Sequence, residues 1–161
     1  MVCAFSGHRP ERLPWGSDEA DPRCKALQFK LRQAVAELAG QGYDTFLCGM
    51  ARGCDIYFFD AVQALRVQQP ELKLIAVIPC PSQPDAWPQQ DRLRYASALS
   101  KCSAVQIVSD HFYNGCMLER NRRMVDQADL LLTVWDGTHS GTASTVRYAR
   151  QHGVPIRALW L

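Results

Sequence analysis

Short apolar runs alternate with longer segments of helical periodicity along the whole chain, and this alternation constrains the fold more than any other feature. The apolar runs predict six strands, at residues 2–6, 44–48, 72–78, 104–108, 130–135 and 155–160. Between them, apolar residues recur every three to four positions. That spacing predicts helices at 24–39, 54–68, about 88–100, 116–128 and about 142–152. Strands that alternate with helices of this length form βαβ units, so the sequence predicts an α/β fold with a mostly parallel sheet.

Chain length and composition fit one globular unit. The chain has 161 residues, of which 47% are hydrophobic and 21% charged, enough for one core but not for two. We therefore expect a single Rossmann-like three-layer domain over residues 1–161. No apolar run approaches the roughly 18 residues that span a bilayer, and the first residues resemble a strand rather than a signal peptide. These features favour a cytoplasmic protein with no membrane partner.

Seven cysteines are spread singly along the chain, and none forms a C-x-x-C pair. Their odd number and their places in apolar runs predict free, mostly buried thiols in a reducing compartment. A zinc site would need more closely spaced ligands, so no metal site is predicted.

Polar and glycine residues follow the first two predicted strands, where ligands bind in an open parallel sheet. The first such loop contains Ser6, Gly7, His8 and Arg9; its alternative interpretation is a simple turn with solvated side chains. The second loop opens directly into a helix, whose first amides and positive dipole end favour an anion. It supplies Gly49, Arg52, Gly53 and Asp55.

Arg52 carries a guanidinium that matches phosphate, while Asp55 could simply cap the following helix. The loop does not match G-x-G-x-x-G, and it lacks the lysine of a P-loop. By itself it is therefore a weak indication of a nucleotide site.

The loop after the fifth strand is also rich in glycine and hydroxyl groups, and it opens into another helix. Two such loops in one small domain together predict a cleft for a phosphate-bearing ligand. The alternative is a flexible loop in which Ser140 or Thr142 caps the helix. Its candidate ligand-binding residues are Asp136, Gly137, Ser140, Gly141 and Thr142.

The helix predicted at 116–128 precedes that strand, and Met117 and Leu118 are expected to face the core. Arg120 and Asn121 are candidates to contact the ligand. The alternative is a solvated basic helix.

Taken in order, these segments resemble the YpsA-like family of the SLOG superfamily. The matching residues are Ser6-Gly7-His8-Arg9, the segment Gly49 to Asp55, Arg120-Asn121 with Met124-Val125-Asp126, and the loop 136–142. The resemblance implies a Rossmann-like fold that binds nucleotides or nucleotide-derived ligands. The superfamily includes the LOG phosphoribohydrolases and the DNA-processing protein DprA, and YpsA-like proteins are associated with the regulation of cell division in Gram-positive bacteria.

The sequence departs from the LOG pattern at one position that matters for catalysis. LOG enzymes pair an arginine in Met-x-x-Arg-Lys-x-x-Met with a glutamate in Gly-Gly-x-Gly-Thr-x-x-Glu. Here Arg120 matches the arginine, but Thr145 stands in place of the glutamate. A threonine cannot activate water as a carboxylate does, although Asp136 or Glu119 could substitute. The sequence thus favours binding over catalysis, with Arg120 the candidate catalytic residue if the chain is an enzyme.

The predicted function is that of a sensor or regulator that binds a nucleotide such as ADP-ribose, NAD or a nucleoside monophosphate. Hydrolysis of a nucleotide N-glycosidic bond, as in LOG enzymes, is the alternative. Binding of single-stranded DNA, as in DprA, is a further alternative, but a net charge of +2 and the lack of a basic and aromatic stripe disfavour a nucleic-acid partner. A protein partner contacted by an exposed Trp15 or Trp87 stays open, and such folds often form homo-oligomers.

Overall fold

The sheet has six strands, and every neighbouring pair is parallel. The computed structural model describes residues 1–161, and the strands are spatially ordered β4-β3-β2-β1-β5-β6. Their bounds are Val2–Gly7 (β1), Thr45–Cys48 (β2), Lys73–Ile78 (β3), Ala104–Ile107 (β4), Leu130–Trp135 (β5) and Ile156–Trp160 (β6). This arrangement confirms the predicted α/β, Rossmann-like fold with a parallel sheet.

Five helices connect the strands: Pro22–Gly40 (α1), Cys54–Arg66 (α2), Gln89–Lys101 (α3), Cys116–Asp126 (α4) and Gly141–Gln151 (α5). Every predicted helix is present, with ends shifted by at most two residues. Helix α1 begins two residues earlier than predicted because the Asp21 side chain accepts from the backbone N–H of Arg23 and Pro22 occupies the first turn. None of these helices combines the length and hydrophobicity needed to cross a membrane.

Side chains that alternate along each strand enter two separate cores, which gives the molecule three layers. Cys3 and Phe5 pack with α1, α2 and α3, whereas Ala4 packs with α4 and α5. The ring of Phe5 stacks on Phe58 of α2 with centroids 4.5 Å apart.

The cysteines and tryptophans are placed only partly as predicted. All seven thiols are free, and all but Cys102 are buried, which agrees with the prediction. The prediction that Trp15 is exposed is wrong: it is 8% exposed and belongs to the larger core, where its ring covers apolar neighbours. Trp87 is half-buried against that core.

The order of the strands sets where a ligand can enter. From β1 the chain moves outward to β4 on one side, and it then returns to place β5 on the other side of β1. The connections after β1 and β5 therefore run to opposite faces of the sheet, which leaves a crevice at the carboxyl edge between them.

Candidate functional site

A cleft of about 560 Å³ occupies this crevice, a volume typical of small-ligand sites. It is bordered by the loop after β1, the first turns of α2 and α4, and the first turn of α5. The structure brings these predicted residues to its wall: Ser6, Gly7, His8, Arg9, Asp55, Arg120, Asn121, Ser140, Gly141 and Thr142.

The first turn of α5 forms one end of the cleft. Ser140 is its N-cap, and the Ser140 Oγ accepts from the backbone N–H of Ala143 at 3.1 Å. The amides of Gly141 and Thr142 belong to the first turn, whose N–H groups have no carbonyl partner within the helix. Together with the helix dipole, they suit an anionic group such as phosphate.

Arg120 of α4 forms the floor, and it is only 4% exposed. Its Nη1 donates to the carbonyl of Gly49, and its Nε donates to Asn121 Oδ1 at 2.7 Å. Its Nη2 has no hydrogen-bond partner in the protein, and Arg120 lines the cleft, so this nitrogen is available as a donor. Burial lowers the pKa of Arg120, and the charge of nearby Asp55 opposes that shift.

Asp55 places a buried carboxylate beside this guanidinium. It lies in the first turn of α2, is 5% exposed, and its Oδ2 accepts from the backbone N–H of Ala51 at 3.0 Å. The other oxygen has no hydrogen-bond partner in the protein. Burial raises the pKa of Asp55, and the charge of Arg120 opposes the rise.

Glycine is required at position 49 because the two charged side chains close around it. A Cβ there would lie 2.7 Å from Arg120 Nη1 and 2.9 Å from Asp55 Oδ2. The next residue, Met50, is buried with φ of 59°, a conformation that is uncommon for a residue other than glycine. A side chain at position 49 would therefore collide with both Arg120 and Asp55.

His8 is the third buried residue of the cleft with an ionisable side chain, at 2% exposed. Its Nε2 lies 3.0 Å from Asp136 Oδ1 and 3.3 Å from the backbone nitrogen of Asp136. Its Nδ1 is buried without a partner. Hydrogen bonds from Thr138, and the weaker effect of His8, lower the pKa of Asp136 to about 2. Asp136 therefore stays ionised and orients the His8 ring, but it does not line the cleft itself.

The structure does not bring the remaining predicted residues into the cleft. Arg52 and Gly53 line a second cleft of about 260 Å³ on the other side of the loop. There Arg52 is held by Glu11 at 3.0 Å and Asp91 at 2.9 Å. Gly49 does not line the cleft, and its carbonyl accepts a hydrogen bond from Arg120 Nη1. Gly137 lines a separate surface pocket.

Sequence reasoning missed several residues of the cleft wall. Met117 and Leu118 were expected in the core, but they are half-buried and line the cleft. The helical spacing carried a usable signal: Arg120 follows Met117 by three positions and precedes buried Met124 by four, which places all three on one face. The other missed residues are Phe5, Glu11, Arg12, Ala51, Gly115 and Ser144.

Thr145 lies outside this wall. It is buried within α5, where its Oγ1 donates to the carbonyl of Gly141 at 3.0 Å. Its hydroxyl is thus used inside the helix.

Comparison with known sequences gives one family and several distant relatives. A family model described as the YspA SLOG family matches residues 3–159. The uncharacterized SPbeta prophage-derived protein YoqJ of Bacillus subtilis is 25% identical over 144 residues, which cover 81% of this chain and 84% of that protein. A UPF0398 protein of Bacillus thuringiensis is 22% identical over 143 residues, which cover 88% of this chain and 77% of that protein.

Two solved structures of DNA processing protein A share the fold. The Helicobacter pylori protein, described for its single-stranded DNA binding mode, has a TM-score of 0.68 at 18% identity and matches 98% of this chain. The Streptococcus pneumoniae protein has a TM-score of 0.64 at 17% identity, again over 98% of this chain. The matched region spans 64% and 49% of those two chains. At these identities the likeness shows a common fold.

Proposed function

Since the chain belongs to the YspA SLOG family, we propose that its cleft binds a nucleotide or nucleotide-derived ligand through phosphate, and that the protein acts as a sensor or regulator. The observation that carries the proposal is that the cleft combines the first turn of α5, which suits phosphate, with the buried guanidinium of Arg120. Gly49 and Asn121 already orient this guanidinium, and its Nη2 has no hydrogen-bond partner in the protein. Because this side chain is already held in place, it loses little conformational entropy when the ligand binds.

The charge around the cleft supports an anionic ligand. Arg9 and Arg12 line the cleft, and neither forms an ion pair with a carboxylate. Of the two acidic residues of the wall, Glu11 is paired with Arg52. Three guanidinium groups and a helix N-terminus therefore face one unpaired carboxylate, that of Asp55, which favours negative charge in the ligand.

A calorimetric titration with ADP-ribose, NAD and AMP tests this proposal. We expect at least one of them to bind, and Arg120→Lys to weaken that ligand about tenfold or more, because lysine keeps the charge but loses the rigid fork of donors. Arg123→Lys is the matched control, since Arg123 lies on the same helix but is exposed and pairs with Glu119. If no phosphate-bearing nucleotide binds the wild-type protein, the proposal is wrong.

Hydrolysis of an N-glycosidic bond is a second candidate, favoured by the presence of Asp55 in the cleft beside Arg120. Such hydrolysis uses a carboxylate close to the anomeric carbon. Chromatography of AMP after incubation with the protein tests it: free adenine that disappears in Arg120→Ala would support hydrolysis over regulation. A salt-dependent titration with an oligonucleotide, run alongside, tests the single-stranded DNA binding named for the Helicobacter pylori neighbour.

A further inference from the structure

The cleft contains one group that phosphate binding leaves unexplained, the Asp55 carboxylate. A carboxylate repels phosphate, so the phosphate and Asp55 must occupy separate ends of the cleft. The topology provides this separation: Asp55 follows β2, α5 follows β5, and β1 lies between them. Two strand spacings place these ends on the order of 10 Å apart. Asp55 therefore faces a part of the ligand that lies beyond its phosphate.

The free Asp55 oxygen calls for a neutral hydrogen-bond donor. Burying an ionised group without partners is costly, yet Asp55 is 5% exposed and only its Oδ2 accepts a hydrogen bond, from Ala51. Two parts of a nucleotide offer such a donor: a sugar hydroxyl and the exocyclic amine of a base.

Arg120 adds a hydrogen-bond donor to the same wall. Asp55 has one free acceptor oxygen and Arg120 has Nη2 as a free donor, and both side chains line the cleft next to Gly49. Vicinal hydroxyls can donate to one neighbour and accept from the other at the same time. An adenine edge also pairs its amine with a ring-nitrogen acceptor, but in every nucleotide the ribose is the first group beyond the phosphate, so its hydroxyls lie nearer to the phosphate end of the cleft than the base does.

We infer that Asp55 and Arg120 together bind the vicinal hydroxyls of a ribose, so that the cleft selects ribonucleotides over 2′-deoxyribonucleotides. This inference rests on the proposed function. It assigns the sugar to the α2 and α4 side of the cleft and the phosphate to α5.

Titrations with matched pairs of ligands test the inference on the wild-type protein. AMP is compared with dAMP, and ribose 5-phosphate with 2-deoxyribose 5-phosphate; IMP, which lacks the exocyclic amine, reports on the base. We expect the deoxy compounds to bind about tenfold more weakly or worse, because each loses a hydrogen bond to a charged group. IMP is expected to bind within about twofold of AMP, since the inference assigns no contact to the amine.

Asp55→Asn provides the second arm. The amide retains an oxygen for the Ala51 N–H but has no second acceptor for the sugar. We expect AMP to weaken to the level of dAMP while dAMP itself changes little. Asp91→Asn is the control, because Asp91 lies in the second cleft against Arg52, and it should keep the wild-type preference. Far-UV circular dichroism of each variant establishes that it is folded.

The outcomes separate this inference from the proposed function. Equal binding of AMP and dAMP to the wild-type protein overturns the ribose assignment and leaves phosphate binding intact. Weak binding of IMP together with equal binding of AMP and dAMP also overturns it, in favour of contact with the base. If no phosphate compound binds, the proposed function fails, and the inference fails with it. The wild-type comparison decides the matter even if Asp55→Asn does not fold.

Discussion

Replacing Gly49 with alanine tests whether the spacing of Arg120 and Asp55 is built into the fold. The added Cβ would lie 2.7–2.9 Å from the Arg120 guanidinium and from Asp55 Oδ2, whereas ordinary contacts begin at 3.4 Å. The guanidinium cannot retreat freely, because Nη1 donates to the carbonyl of Gly49 itself and Nε donates to Asn121. The methyl group must therefore displace two buried charged groups or shift the loop.

The expected cost follows from these contacts. Overpacking of a filled interior costs about 1–3 kcal/mol, and loss of one hydrogen bond from a charged donor costs about 1.5–3 kcal/mol. Because part of the strain is relieved when that hydrogen bond breaks, we expect the free energy of unfolding to fall by about 2–5 kcal/mol. Urea unfolding followed by circular dichroism measures the change.

Gly40→Ala is the matched control for this substitution. Gly40 ends α1, and a Cβ there would meet no atom within 4 Å. The control should be neutral or stabilising by about 0.4–1 kcal/mol, because alanine restricts the unfolded chain. If the two variants had free energies of unfolding within about 0.5 kcal/mol of each other, the argument that glycine is required at position 49 would be refuted.

Three further predictions concern the cap, the second cleft and the thiols. Ser140→Ala should lower the free energy of unfolding by about 1 kcal/mol in the same urea assay, because α5 loses its side-chain cap, whereas Ser140→Asp should restore it. Arg52→Gln should lower the free energy of unfolding by less than about 1 kcal/mol, since the ion pairs of Arg52 are partly exposed. The same variant should bind the nucleotide within about twofold of the wild-type affinity in calorimetry. A tenfold loss of affinity would show that Arg52 contacts the ligand after all. With Ellman's reagent at pH 8, only Cys102 should react in the native protein, because the other six thiols are buried. Its reaction should be slow, since partial burial raises the pKa of Cys102 to about 11, and all seven thiols should react in urea.

The fold was predictable because it depends on the periodicity of apolar residues, which local sequence carries directly. Strand β1 is apolar at consecutive positions because both of its faces are buried, with Cys3 and Phe5 on one side and Ala4 on the other. A strand of this kind indicates helices on both faces of a parallel sheet. Helix α1 begins at Pro22 because the Asp21 side chain caps it. The spacing of apolar residues predicts a helix but does not predict such a capping contact as directly.

The content of the site was less predictable, because it depends on the side of a turn to which each side chain points. Arg52 and Asp55 lie only three positions apart, at the end of the loop and in the first turn of α2, yet Arg52 lines the second cleft and Asp55 lines the first. The sequence shows which residues follow a strand, but not how the positive φ of Met50 before Arg52 and of Gly53 after it turns the chain. For the same reason Arg52, a strong candidate by residue type, is held by carboxylates and not offered to a ligand.

The position of Thr145 bears on whether this cleft binds or catalyses. In the hydrolases that the sequence resembles, a glutamate occupies this position, whereas here the Thr145 hydroxyl is buried and donates to Gly141 within α5. No carboxylate therefore extends from α5 into the cleft, and the free carboxylate of the cleft comes from Asp55, on the far side of β1. A carboxylate at that end can accept hydrogen bonds from a sugar, but it must also lie against the anomeric carbon if it is to assist cleavage. Recognition needs only the first of these conditions, and for this reason we propose that the cleft binds its ligand without cleaving it.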